Sequence, residues 1–370
     1  MSGSRSDAIV IGAGIVGAAV ADALAGDGLR VLVLEAAAAA SGATAAGMGH
    51  LVAMDDSPAQ LALTAYSLRC WRELLPSLPS QCEHEPTGTL WIAEDGTNPA
   101  ALANKCRGYS AAGVEAEVLD AHQVAAAEPR LRPGLAGGVR VSGDGVIYAP
   151  AVTRALLERA RGRGCEVREG APVESIGPRS VRAGGETLGA DVIVNAAGAG
   201  APRLTPELPI VPRKGHLAIT DRAPGFCRHQ IVELGYLTSA HDLTAASVAF
   251  NVQPRATGQL LIGSSRELVG WDAGLNRAIA ARMLRRAVTF LPALVDLPVT
   301  RTWTGFRPAT PDGLPLIGRW GAVDGLWIAA GHEGLGITTA LGTARMLADQ
   351  VAGRTPALDA RPYAPERAHA

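Results

Sequence analysis

Continuous apolar runs alternating with glycine turns dominate the two ends of the chain. Residues 8–11 (AIVI) are uniformly apolar and are followed by Gly12, Gly14 and Gly17, then by an alanine-rich stretch to about Ala25. The turn Gly26-Asp27-Gly28 leads into a second apolar run, Arg30 to Leu34, that closes on Glu35. This pattern predicts strand, glycine turn, helix and strand, the opening of a parallel βαβ unit. ADVIVNAAGAG (190–200) is apolar at consecutive positions, as a strand covered on both faces must be, and is predicted to be a central parallel strand entering a second glycine turn. LWIAA (326–330), the loop GHEGLG and a helix from Ile337 to Val351 form a third such unit. Ser57, with Pro58 next and Gln60 three residues on, gives the capping-box signal for a helix through Leu61, Leu68 and Trp71 to Leu75, stopped by Pro76.

Between these units the texture changes. From Cys82 to Tyr148 short alternating runs (TGTLWIAEDG, GGVRVSGDGVIY) surround one helical piece. Pro150 to Arg161 is a helix, and Cys165 to Arg168 and Pro172 to Ile176 are short strands. Residues 214–298 return to strands (HLAIT, VAFNVQP, GQLLIGSS) and an arginine-rich helix near 274–290; the tail after Gly353 is expected to fray. Two discontinuous domains are implied, with a ligand where they meet.

Composition narrows the class. The chain of 370 residues exceeds the usual size of one core. Lys+Arg number 34 against Asp+Glu 35, a net charge of -1, so there is no basic footprint for nucleic acid or anionic lipid, and a small molecule is the better partner. Lysine occurs only at Lys105 and Lys214. Cys70, Cys82, Cys106, Cys165 and Cys227 are odd in number, scattered and without a CxxC pair, which argues against a disulfide framework, a metal site or a redox dithiol. A reducing compartment, the cytoplasm, is therefore expected. Residues 8–21 have the hydropathy of a signal peptide, but their glycine spacing and the second run VLVLE favour a soluble βαβ unit. No run of about 18 apolar residues proposes a membrane span.

The spacing of Gly12, Gly14 and Gly17 has a physical cause. The first glycine makes the turn, the second lets backbone N–H groups approach a pyrophosphate, and the third lets the helix pack closely; Glu35 would bind a ribose hydroxyl pair. Its charge would repel a 2'-phosphate, which disfavours NADP. NAD requires only this first unit, whereas Ala36 to Gly49, the turn at 198–200 and the helix start near Gly336 suggest a longer ligand, FAD. That last helix start would direct free N–H groups at a reduced flavin's negative charge; an ordinary capped helix is the bland alternative.

IVIGAGIVG, LVLE, SGATAAGMG, DVIVNAAGAG, GFRPATPDGLPLIG and AAGHEGLGITTALGTARMLAD together resemble, in order and over nearly the whole chain, the D-amino-acid-oxidase-like flavoproteins, which include glycine oxidase, sarcosine oxidase and D-amino-acid dehydrogenases. GATAAGMGHL and the GHEGLG ending most resemble the flavin subunit of bacterial D-hydroxyproline dehydrogenases. The resemblance implies an α/β fold, a Rossmann-like FAD-binding domain with a parallel sheet (1–81, 149–212 and 299–360) plus a discontinuous α+β substrate domain with a mainly antiparallel sheet (82–148 and 213–298), and a tail (361–370).

It also implies noncovalent FAD at Gly12, Gly14, Ile15, Val16, Gly17 and Glu35, with Ser41, Thr44, Ala46, Gly47 and Met48 around pyrophosphate and flavin. Val173 would meet the adenine, Ala197 and Gly198 would form the second turn, and Gly331, His332, Gly334, Leu335, Gly336 and Ile337 would lie near the isoalloxazine. Gly305 stands where covalent relatives carry a cysteine. Arg307 is expected to pair with the substrate carboxylate, the alternative being a buried ion pair with a protein carboxylate. His50 and His332 are candidate tuners of flavin or amine protonation, or structural histidines, and Glu333 is read in the same two ways. Tyr236 would cover the pocket, and Lys214-Gly215-His216 and Phe250 to Gln253 would line it.

The implied reaction is hydride transfer from Cα to flavin N5, giving an imine, with cis-4-hydroxy-D-proline or another D- or cyclic amino acid favoured and glycine or sarcosine as the alternative. A non-catalytic flavin-binding subunit is the reading from another class. The electron acceptor, oxygen or a partner subunit in a homo- or hetero-oligomer, is left open.

Overall fold

The computed structural model describes residues 6–94, 96–97, 99–235 and 246–369. Tyr236 lies outside the described residues.

Strand Ala8–Ile11 pairs in parallel with Val31–Leu34 on one side and Val192–Asn195 on the other. Glu166–Arg168, Leu326–Ala330 and Leu316–Arg319 complete a six-stranded sheet, the last of them antiparallel to its neighbour. The alternation of side chains along a strand divides the sheet between two cores. Ala8, Val10, Val31, Val33 and Val194 enter a core with the helices Ile15–Gly26, Ala149–Arg161 and Gly336–Val351, while Ile9, Ile11, Leu32, Leu34 and Ile193 enter another with the three-stranded meander Val173–Gly177, Ser180–Ala183 and Glu186–Gly189. That two-sided cover explains why these strands are apolar at every position. A Cβ at Gly17 would sit 2.0 Å from the Gly12 carbonyl oxygen, so the helix reaches the turn only because residue 17 is glycine.

The second sheet has eight strands in the order Val299–Ala309, Val211–Thr220, Leu260–Arg266, Ser247–Pro254, Gln230–Glu233, Thr89–Ala93, Gly137–Val141, Glu117–Asp120. Its pairings are antiparallel except that of Gln230–Glu233 with Thr89–Ala93. Leu90, Ile92, Ile231, Phe250, Val252, Ile262 and Ala218 occupy its far face, under Met283, Ala287 and Phe290 of the helix Arg277–Phe290. The near face looks onto the first domain, where Trp303 Nε1 donates to the Ala46 carbonyl at 3.2 Å.

Three features depart from the expectations above. Residues 82–148 hold two helices, Pro99–Ala111 and Ala121–Ala127, rather than one. Val299–Ala309, expected with the first domain, is the edge strand of the eight-stranded sheet, where Pro308 removes no ladder hydrogen bond that a central strand would need. The tail is not frayed over 361–369: Tyr363 is 1% exposed and its hydroxyl donates to the Ala59 carbonyl at 2.6 Å. No helix among the described residues is long and apolar enough to cross a membrane.

The helix Pro58–Leu74 begins where expected, with Ser57 Oγ accepting from the Gln60 N–H at 3.1 Å; the reciprocal half of the capping box, in which the Gln60 side-chain oxygen would accept from the Ser57 N–H, is not formed. Ser57→Ala should therefore cost about 1 kcal/mol of stability. Thermal unfolding should show a midpoint lowered by about 1 °C, the shift expected for a chain of this length, and an unchanged midpoint would refute the cap.

Candidate active site

The two helix starts expected to face the cofactor come together. A Cβ at Gly336 would lie 3.8 Å from Val16 Cγ2 and 3.4 Å from His332 Cβ, so Ile15–Gly26 and Gly336–Val351 begin side by side. Neither N-cap residue supplies a side-chain cap, which leaves first-turn N–H groups available apart from that of Ile15. Gly14 has only Thr44 Oγ1 near its missing Cβ, and Gly198 (φ +56) has nothing within 4 Å. Thr44 Oγ1 accepts from the Ile15 N–H at 3.0 Å, which seats the loop containing Ser41 at the turn. Glu35 ends its strand with its carboxylate on the N–H groups of Ala13 (2.7 Å) and Ala37 (2.9 Å), at the rim of the turn. Val173 starts the meander beside it, and Ala171 N–H is held by the Glu35 carbonyl. Uncovered backbone flanked by open helix N-termini is a cradle that fits a dinucleotide pyrophosphate.

Loop 46–49 lies between this cradle and the eight-stranded sheet. A Cβ at Gly305 would meet Ala46 Cβ at 2.5 Å, one at Gly47 would meet Ile337 Cδ1 at 3.0 Å, and Met48 packs with Leu217 and Leu261. Residue 305 thus has room for no side chain, let alone a tether.

The sheet's near face supplies the rest of the site. Trp91, Val232 and Asn251 stand in one row across three adjacent strands, so their side chains project to the same face. They line a cavity together with His50, Gln230, Arg213 and Arg266; Glu333, Gly334 and Leu335 close its other side. Arg213 is the register partner of Arg307 on the neighbouring strand. Arg307 borders this cavity rather than lining it: its guanidinium lies over Gly215, where a Cβ would be 2.3 Å from Nη1, and beside Gly334, while Nη1 donates to the Ser265 carbonyl at 2.9 Å. Glu333, in the left-handed region at φ 47, sits 3.5 Å from Arg213 Nη1 and 3.9 Å from Arg266 Nε. Burial alone would push its carboxyl up, but Arg266, Arg307 and Arg213 outweigh that and hold it below the usual range.

The histidines part company. His50 lines the cavity with Nε2 buried and unpartnered; burial lowers it to about 4, with Arg255 and Arg307 adding to the effect and Gln253 opposing it. His332 is buried, its Nε2 meets Thr343 Oγ1 at 3.0 Å, and burial lowers it to about 3. A ring so tied is a structural histidine. The pleat turns Lys214 and His216 to the far side: Lys214 reaches Asp272 at 3.0 Å, and His216 is fixed by Ser265 Oγ and by the Asn276 N–H. Of Phe250 to Gln253, Asn251 reaches the cavity and Gln253 Nε2 holds the Met48 carbonyl at 2.6 Å. Trp91, Arg213, Gln230 and Arg266 were not expected; only the polar alternation within VAFNVQP hinted that one face was wet.

Residues 7–350 match the family model described as DAO, FAD dependent oxidoreductase. The chain belongs to this family. It is an FAD-dependent oxidoreductase, and the open backbone of the cradle described above fits the pyrophosphate of such a cofactor. Glycine oxidase of Pseudomonas aeruginosa is 30% identical, covering 96% of this chain and 98% of its own length. D-amino acid dehydrogenase of Cereibacter sphaeroides is 31% identical over 82% of this chain and 70% of its own. The crystal structure of glycine oxidase from Geobacillus kaustophilus superposes with a TM-score of 0.87 at 26% identity, covering 97% of this chain and 98% of that one.

Because both histidines titrate below their ordinary value in the fold, the neutral rings stabilise it at and above pH 6.5, and that contribution is lost as pH falls toward 4 for His50 and 3 for His332. Denaturation between pH 7 and 4 should show a shallower acid loss for His332→Gln than for the parent; parallel curves would contradict the burial of a neutral ring.

Proposed function

We propose that the protein oxidises the C–N bond of a small amino acid, a hydride leaving Cα for flavin N5 and the amine losing a proton, so that an imine forms. Bound FAD supplies the two-electron acceptor. The favoured substrate is cis-4-hydroxy-D-proline or another small D- or cyclic amino acid; glycine and sarcosine are the alternative. The naming of relatives as D-amino acid dehydrogenases and glycine oxidases supports this substrate class.

The observation that carries the reading is the placement of Arg307 beside Gly334, on the sheet face that looks toward the Gly331 to Ile337 loop. Nη1 is engaged by Ser265, and Nε and Nη2 donate no hydrogen bond to the described residues, so that edge suits bidentate capture of a carboxylate. Arg213, across the ladder, adds to the cationic end of the cavity. Held there, the substrate has its Cα oriented, and orientation is most of what direct hydride release requires. His50, neutral at pH 7, does not act as a proton donor to the amine, which must be unprotonated to react. A cavity furnished in this way speaks against a non-catalytic subunit.

Arg307→Ala should retain yellow colour and FAD content while kcat/KM for carboxylated substrates falls by about 100- to 1000-fold, the range for removing one partner of a charged pair. Steady-state assays with an artificial acceptor measure this, and unchanged turnover would overturn the assignment.

A further inference from the structure

Trp91 Nε1, Gln230 Oε1 and Asn251 Oδ1 are buried polar atoms without a hydrogen-bond partner, and all three residues line the same cavity. They are 0%, 1% and 3% exposed. Such atoms cost stability in an apolar setting unless something arrives to pair with them. Their register keeps them together: Trp91 and Asn251 share a row through Val232, and Gln230 stands two residues from Val232 on the same face.

The orientation of Gln230 is fixed by its surroundings. Thr89 Oγ1 donates to Asp144 Oδ2 at 2.6 Å, which spends its only proton, so toward Gln230 it can only accept. Gln230 Nε2 makes that donation at 3.4 Å, and Oε1 is therefore left as an acceptor on the cavity side. The set then presents donors, the indole N–H and the Asn251 amide N–H groups, beside two amide oxygens that accept. An ammonium would satisfy the oxygens and leave the indole unmet. A carboxylate would do the reverse. A hydroxyl both accepts and donates through one atom.

Resting on the amino-acid reading above, we propose that Trp91, Gln230 and Asn251 form a subsite for a hydroxyl on the substrate's side chain, so that the enzyme selects hydroxylated small amino acids over their deoxy counterparts. Arg307 grips one end of the substrate, and this subsite measures the other. A site built to bond a hydroxyl rejects the analogue lacking it, because its own groups are then stranded.

The test uses FAD-loaded enzyme and two matched pairs, cis-4-hydroxy-D-proline with D-proline and D-serine with D-alanine. The hydroxylated member of at least one pair should have a kcat/KM at least about 100-fold higher, as expected where discrimination rests on pairing buried polar groups. In Gln230→Leu and Asn251→Leu that ratio should collapse to below about 10, with flavin content and melting temperature confirming that each variant is folded. Equal kcat/KM within both pairs, or variants that lower both members alike, would overturn the subsite and leave the amino-acid reaction standing; the second result would mean that these atoms serve the amine or the fold. If no member reduces the flavin, the reaction reading fails separately, and equilibrium binding of the same pairs decides the subsite: at least ten-fold tighter binding of a hydroxylated member supports it, and equal binding overturns it.

Discussion

Two arginines opposite each other in a β-ladder are the constraint on which the candidate site depends. Arg213 and Arg307 are register partners on the long pair Val211–Thr220 and Val299–Ala309. Like charges opposite one another destabilise a sheet. The pairing persists because an anion is brought to it: Glu333 comes from the loop ahead of the last helix and is held ionised by three arginines. The same loop lies at the start of the helix that would face the flavin. One electrostatic balance thus ties the substrate sheet to the cofactor domain, and a substrate carboxylate would enter a region already shaped for negative charge.

Close approach serves the same end. Gly215 lets the Arg307 guanidinium lie flat on the strand, Gly305 lets Ala46 approach, and Gly17 lets the first helix reach its turn. Each glycine removes a side chain where two layers must touch. The cavity that results is polar on the sheet side and closed by loop backbone opposite, so water is displaced from most of its wall when a ligand fills it.

The cofactor half was legible because its signals are local. Strand, turn and helix lie within the first 35 residues, and VIVN and LWIAA announce their two-sided burial by composition alone. The substrate half was legible in kind, alternating strands, but not in detail. Trp91 meets Gln230 and Asn251 through the parallel pairing of Thr89–Ala93 with Gln230–Glu233, distant segments of the chain, and no periodicity within either segment reveals its partner. Val299–Ala309 was hidden by Gly305 and Pro308, which read as loop punctuation yet sit on an edge strand. His332 was flanked by flavin-type sequence, but its ring is taken by Thr343 in the adjoining helix, a contact that exists only once the chain is folded.

Anaerobic mixing of the FAD-loaded enzyme with amino acids and with the matching amines that lack the carboxylate tests the central claim most directly. Bleaching of the flavin absorption by at least one of proline, hydroxyproline, serine, alanine or glycine, in either enantiomer, and by none of pyrrolidine, 3-hydroxypyrrolidine, ethanolamine, ethylamine or methylamine, is the predicted result. Bleaching by the decarboxylated amines at comparable rates, or by no amino acid at all, would contradict the grip of an arginine on an acid group as the basis of this enzyme's chemistry.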